Sequence, residues 1–299
     1  MTKRDFLTFW DFSTEECETI LKRSRQYKSG GLDSFQPLKG KTVGLLFEKT
    51  STRTRLSFEV GVYQLGAFPI YIGPGTTQLA RGETISDTAR VLSRYLSAVV
   101  IRTFSHDKIV DFARNSTVPV INGLTDTHHP CQVLADLMTI EERKGGLKGI
   151  KLAYVGDGNN VANSLIEASA RMGIRLTMAC PEGYEPDSAV IERVKPFEVP
   201  VTNDPAESVY GADVIYTDVW VSMGDKADAG EKKARFQPFQ VNDRLLSLAE
   251  RDAIVLHCLP AHRGEEITDS VIDGKHSAVF DQAENRLHTQ KAVLEMIVG

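Results

Sequence analysis

The chain has 299 residues, 41% of them hydrophobic and 25% charged, with a formal net charge of −5. At about 150 residues per domain, this length predicts two domains, and the composition is that of a globular rather than a disordered protein. The acidic balance argues against a general nucleic-acid binder, which needs a basic surface, but leaves room for a small basic pocket that holds one phosphate.

Ser13-Thr14-Glu15-Glu16 has the form of a capping box and predicts a helix running to about Tyr27, ended by Gly30-Gly31. Thr42 to Phe47 reads as a buried strand. Leu56, Val60 and Tyr63 then mark one face of a helix. Strand and helix signals go on alternating: strand Pro69 to Ile72, helix Ile85 to Tyr95, strand Ala98 to Ile101, helix Asp107 to Arg114, strand Val118 to Ile121, helix Gln132 to Arg143. The polar, glycine-containing run Lys144 to Gly149 marks a domain boundary, which sets one domain at 1–145 and a second at 150–284. Later strands are expected at Lys151 to Val155, Leu176 to Ala179, Val214 to Thr217 and Ile254 to His257. A loop is expected at Asp225 to Lys233, and a last helix at Asn285 to Val298. The alternation predicts an α/β fold of two lobes, each a mostly parallel sheet flanked by helices, with the active site in the cleft between them. Four cysteines, Cys17, Cys131, Cys180 and Cys258, show no paired spacing. With no apolar leader run or membrane-length segment, they predict a reduced cytoplasmic protein.

Ligands of parallel sheets bind beyond the carboxyl ends of the strands. The residues there are polar: Ser51-Thr52-Arg53-Thr54-Arg55 after the first strand, then Arg102, His129, Gly156 to Asn160, Asp218 and Cys258. A helix N-terminus with three hydroxyls and two guanidiniums is a phosphate site by its chemistry, although a capped helix with solvated arginines would carry the same string. Gly156-Asp157-Gly158-Asn159-Asn160-Val161 also admits a dinucleotide-binding reading, with Glu182 as ribose acid, but it lacks the third glycine.

The string Ser51 to Arg55 resembles the carbamoyl-phosphate-binding signature of the aspartate/ornithine carbamoyltransferases. His129-Pro130-Cys131-Gln132 resembles their second signature. The resemblance implies that Ser51, Thr52, Arg53 and Thr54 hold the phosphate and that Arg102 bridges phosphate and carbonyl oxygen. His129 would donate to that oxygen, Gln132 and the Leu259 main-chain carbonyl would hold the carbamoyl amide, and Arg286 would complete the site. Donors placed where charge develops are each expected to stabilise the transition state by roughly 3–4 kcal/mol. Gln78, in the loop Thr77 to Thr84, matches a residue that reaches a neighbouring subunit's active site, so the resemblance implies a homotrimer. It also implies that the last helix packs back on the first domain.

Asp218-Val219-Trp220-Val221-Ser222-Met223-Gly224 and His257-Cys258-Leu259-Pro260 resemble the ornithine-specific stretches of the family. They imply that Leu124, Asn160, Asp218, Ser222 and Met223 bind ornithine, and Asp218 can pair with its cation. Cys258 is the candidate proton acceptor, with Asp218 sharing that duty. An alkyl amine of pKa about 10.4 is almost wholly protonated near neutral pH and must lose a proton to react. The implied reaction carries the carbamoyl group of carbamoyl phosphate to the side-chain amine of ornithine, with no metal or organic cofactor. Three alternatives stay open: another acceptor such as putrescine or an acylated ornithine, a non-catalytic metabolite-binding member of the fold, and a zinc site on Cys258 with His257 and His262. Joint ligation by His257 and Cys258 is expected to be awkward, because strand neighbours point to opposite faces.

Overall fold

A computed structural model describes residues 3–32, 34–75, 82–221 and 229–299. Its chain divides into two units: Met1–Met138 with Glu284–Gly299, and Thr139–Ala283. In the first, helix α1 (Thr14–Lys28) starts with the reciprocal cap written in its sequence. Glu16 N–H donates to Ser13 Oγ at 3.3 Å, and Ser13 N–H donates to Glu16 Oε2 at 2.8 Å.

Strand β1 (Thr42–Phe47), helix α2 (Arg53–Gln64), β2 (Phe68–Ile72), α3 (Ile85–Leu92), β3 (Ala98–Arg102), α4 (His106–Asn115), β4 (Val120–Leu124) and α5 (Pro130–Lys144) follow. The four strands form a parallel sheet in the order β2-β1-β3-β4. The chain reverses its direction of growth between β1 and β3, where the strand that precedes Ser51 and the strand that ends on Arg102 lie side by side. β4 begins two residues later than its apolar run suggests and extends to Leu124. Pro119 has no N–H for the ladder, and the side chain of the polar Asn122 is tied to the Leu7 carbonyl at 2.8 Å, so it tolerates the interior.

The second unit is built from β5 (Lys151–Val155), α6 (Asn160–Met172), β6 (Arg175–Ala179), α7 (Ser188–Arg193), β7 (Val201–Thr202), α8 (Pro205–Val209), β8 (Val214–Thr217), α9 (Ala229–Phe236), α10 (Asp243–Leu246), β9 (Ile254–His257) and α11 (Asp269–Ile272). Its parallel sheet has the order β7-β6-β5-β8-β9, with the reversal between β5 and β8. Ala153, Val155, Ile215 and Val255 are fully buried on one face of the sheet, and Leu152, Tyr154, Val214, Tyr216 and Leu256 on the other. Such two-sided burial is why these strands read as continuous apolar runs. Helix α12 (Val279–Val298) begins in this unit and runs into the first.

One apolar face lies where core burial would not put it, and one sequence expectation needs correction. The α2 face marked by Leu56, Val60 and Tyr63 points outward, with exposures of 53%, 40% and 74%. The buried face is instead Thr54, Phe58, Gly61 and Val62. Gly61 explains this choice: a Cβ there would meet Lys291 Cγ at 3.3 Å and Leu287 Cδ1 at 3.6 Å, so α12 occupies that side. Ala229 to Lys233, expected in a loop, are helical. Lys232 Nζ meets Asp157 Oδ2 at 2.7 Å and lies over the rings of Tyr184 and Phe236, and Phe236 is fully buried. The rest of that expected loop, 225–228, lies outside the described residues. Among the described residues, no helix is long and apolar enough to cross a membrane.

Candidate functional site

In the first unit the anion chemistry gathers at the start of α2. Ser51 Oγ accepts from Thr54 N–H at 3.2 Å, so the serine folds over the opening turn of the helix. Ser51 and Arg53 are half-buried, Thr52 is exposed, and Thr54 is buried. Thr54 Oγ1 accepts from Arg286 Nη2 at 2.6 Å and from Arg102 Nη1 at 3.4 Å. A hydroxyl that accepts on both lone pairs has its own proton left to donate. Thr54 and Gly61 are seven residues apart and share the buried face of α2. The glycine therefore lets α12 approach closely enough for Arg286 to reach Thr54. Arg55, counted above among the donors, is engaged elsewhere: it pairs with Glu59 at 2.9 Å and stacks on Tyr71 at 3.7 Å.

His129 is buried at the N-terminal end of α5. Burial pushes its imidazole well below the ordinary histidine range, and the positive charges of Arg286 and Arg102 push it further the same way. The ring is thus neutral at physiological pH, a hydrogen-bond donor to an oxygen rather than an acid. Gln132 Nε2 donates to Asp136 Oδ1 at 2.8 Å, one turn along α5. That bond fixes the amide orientation and leaves Gln132 Oε1 buried with no hydrogen-bond partner among the described residues. The oxygen can accept from an amide NH₂. Asp136 was not singled out from the sequence; its position four residues after Gln132 on one helix was the available signal. Leu124 ends β4, and its carbonyl accepts from Thr103 N–H at 3.0 Å.

In the second unit the polar groups gather beyond β5, β8 and β9. Asp218, just after β8, is buried. Its Oδ1 accepts the Cys258 thiol at 2.9 Å and Val219 N–H at 2.8 Å, and its Oδ2 accepts from Asn159 Nδ2 at 2.8 Å. Asn159 was likewise not singled out; Asn160 beside it is half-buried at the first turn of α6. His257 is fully buried, and both ring nitrogens are engaged. Nδ1 accepts from Leu259 N–H at 2.9 Å, which makes Nε2 the donor to Glu266 Oε1, also at 2.9 Å. This pair props the turn that carries Cys258 and Leu259, where Leu259 has a left-handed φ of 56°.

The expected divergence of His257 and Cys258 does not hold. Cys258 lies past the end of β9, where strand alternation no longer applies, and ligand atoms of Asp218, His257 and Cys258 all fall within 4.8 Å of one another. A metal there would have to break a His257 hydrogen bond to gain a ligand. Gly158 disfavours the dinucleotide reading: a Cβ there would come within 2.3 Å of the Glu185 and Pro186 backbone. The chain itself occupies the space that a pyrophosphate would need. Gln78, Ser222 and Met223 lie outside the described residues.

A family model described as the aspartate/ornithine carbamoyltransferase carbamoyl-P binding domain matches residues 4–142. The companion Asp/Orn binding domain matches residues 148–297. An ornithine carbamoyltransferase of Syntrophus aciditrophicus (strain SB) is 53% identical over 302 residues, covering 99% of this chain and 100% of that protein. The solved ornithine carbamoyltransferase from Pyrococcus furiosus is 51% identical, with a TM-score of 0.95 over 100% of this chain and 98% of that one. The anabolic ornithine carbamoyltransferase from Campylobacter jejuni subsp. jejuni NCTC 11168 is 37% identical, with a TM-score of 0.93 over 98% of both chains.

Proposed function

We propose that this chain, which belongs to the aspartate/ornithine carbamoyltransferase family, transfers the carbamoyl group of carbamoyl phosphate to the side-chain amine of L-ornithine, giving L-citrulline and phosphate. The observation that carries the proposal is the buried Arg102–Thr54–Arg286 cluster at the start of α2. Two guanidiniums and an outward-donating hydroxyl, beside the free N–H groups of a helix N-terminus, suit a phosphate dianion. Ser51, Thr52 and Arg53 extend that set. His129, held neutral, donates to the carbamoyl oxygen, Gln132 Oε1 accepts from the carbamoyl NH₂, and the Leu259 carbonyl shares that role.

The ornithine nitrogen attacks the carbamoyl carbon, the carbon–oxygen bond to phosphate breaks, and the nitrogen sheds a proton. Asp218 receives the cationic side of ornithine, with Asn160, Ser222, Met223 and the Leu124 main chain as further contacts. Cys258, already joined to Asp218, lies on the path of the departing proton. Charge that builds on the carbonyl oxygen and then on phosphate is met by donors already in place, which need no reorganisation in the reaction.

The same reading makes the protein a cytoplasmic homotrimer in which Gln78 serves a neighbouring active site. The outward apolar stripe Leu56, Val60 and Tyr63, and the edge strand β2 with Phe68 and Ile70 exposed, support a partner on that side of the first unit. The likeness to an anabolic enzyme supports the biosynthetic direction, toward arginine. The test is product formation from carbamoyl phosphate with ornithine, putrescine, N-acetylornithine or aspartate in parallel. Citrulline from ornithine alone is expected. Turnover of a different amine would overturn the acceptor assignment, and no turnover by folded protein would overturn the activity.

A further inference from the structure

Asn159 faces two ways. It is the N-cap of α6, and its Oδ1 accepts from Val161 N–H at 2.9 Å and from Ala162 N–H at 3.2 Å. The Tyr154 hydroxyl adds a longer contact to the same oxygen at 3.4 Å. Those bonds decide which end of the amide is oxygen, because turning it over would break the cap and set NH₂ against two backbone N–H groups. The Nδ2 end is therefore committed to Asp218 Oδ2, at 2.8 Å. An amide N–H can only donate, so Oδ2 is the acceptor of this pair and its direction is fixed. With Oδ2 held, Oδ1 is turned to the Cys258 thiol and Val219 N–H.

We propose that Asn159 is a positioning residue of the acceptor half of the site: by capping α6 with one end of its amide and gripping Asp218 with the other, it holds that carboxylate in place with Oδ1 aimed at Cys258. The inference rests on the reading of Asp218 and Cys258 as the groups that take the acceptor's charge and proton. Asn159 acts only through Asp218. Among the described residues, His257 and Cys258 at the end of β9 lie beside Asp218, and Tyr154 on β5 feels the charges of Asp218, Asp157, Cys180 and Cys258. Lys232 of α9 is paired with Asp157 at 2.7 Å. Apart from Asn159, Cys258 and Val219, no donor to Asp218 is seen among the described residues.

Asn159→Asp separates the two roles. Aspartate caps a helix as well as asparagine does, but it sets a second carboxylate against Asp218, which favours protonation of the pair. Expected are a KM for ornithine raised about tenfold or more, a KM for carbamoyl phosphate within about twofold of wild type, and an unchanged melting temperature. The ascending limb of kcat/KM for ornithine should move up by about one pH unit. Cys258 gives a readout that does not depend on turnover. Cys17, Cys131 and Cys180 are buried and Cys258 is partly exposed, so iodoacetamide alkylation of the native enzyme reports on Cys258. The added negative charge should slow that alkylation about tenfold near pH 8. Asn159→Ser, which keeps a capping oxygen without the amide donor, should raise the ornithine KM while leaving the alkylation profile nearer to wild type.

Wild-type ornithine KM and alkylation profile in Asn159→Asp would overturn the proposal. So would a lowered melting temperature in both variants with unaltered kinetics, which would make Asn159 a helix cap and nothing more. If wild-type protein turned over another amine, the acceptor assignment would fall, while the alkylation profile would still decide the role of Asn159.

Discussion

Replacing Thr54 by valine is the sharpest probe of the anion cluster. Valine keeps the branched shape, and Thr54 is only 1% exposed, so packing is nearly conserved while one oxygen is lost. That oxygen accepts from Arg286 at 2.6 Å and Arg102 at 3.4 Å. A hydrogen bond to a charged group contributes about 1.5–3 kcal/mol, and a contact at the longer distance contributes little. At 1.36 kcal/mol per factor of ten, loss of the short bond should weaken the hold on a phosphate dianion by about 10- to 150-fold. The assay is competitive inhibition of citrulline formation by inorganic phosphate, together with the KM for carbamoyl phosphate. Thr54→Ser, which keeps the hydroxyl, serves as the rescue. Wild-type inhibition in the valine variant, or equal weakening in the serine variant, would refute the assignment of the hydroxyl as the shared acceptor.

His129 should couple stability to pH. Unfolded, it takes up a proton below about pH 6.5, while folded it resists protonation because it is buried beside two arginines. The stability it contributes is therefore complete above that pH and is lost as pH falls, at about 1.4 kcal/mol per unit. Urea unfolding at pH 6.5 and 5.5 should show a smaller loss for His129→Asn than for wild type, and equal losses would refute the coupling. Asp136→Ala frees the Gln132 amide and should raise the KM for carbamoyl phosphate about tenfold. Asp136→Asn, which keeps an acceptor oxygen, should restore most of it, so an equal defect in both would count against an orienting role. Ser13→Ala removes the cap of α1 and should cost about 1 kcal/mol in denaturant unfolding without altering kcat/KM.

Much of this protein is legible in its sequence. Two runs of alternating strand and helix, the capping box at Ser13, and the polar residues just past each strand follow from local rules of spacing and turn chemistry. The motifs that carry the family resemblance are also local strings. What the sequence hid is set by contacts between segments distant along the chain. The apolar stripe of Leu56, Val60 and Tyr63 has the spacing of a core face, yet Gly61 and Thr54 face inward because α12 returns to lie on that side of α2. A hydrophobic period locates a face and cannot say which neighbour covers it. Lys232 reads as part of a charged loop until Asp157, Tyr184 and Phe236 gather round it.

The same division runs through the candidate site. The sequence by itself determined which residue types stand at the strand ends: hydroxyls and guanidiniums after β1, an imidazole before α5, a carboxylate after β8 and a thiol after β9. Only the tertiary structure decided how they are oriented. It turned Gln132 by way of Asp136, tied Asp218 to Asn159 and Cys258, and spent both nitrogens of His257 on the Leu259 turn and Glu266. Hydrogen-bond direction depends on which donor meets which acceptor in space, and neither spacing nor composition carries that information.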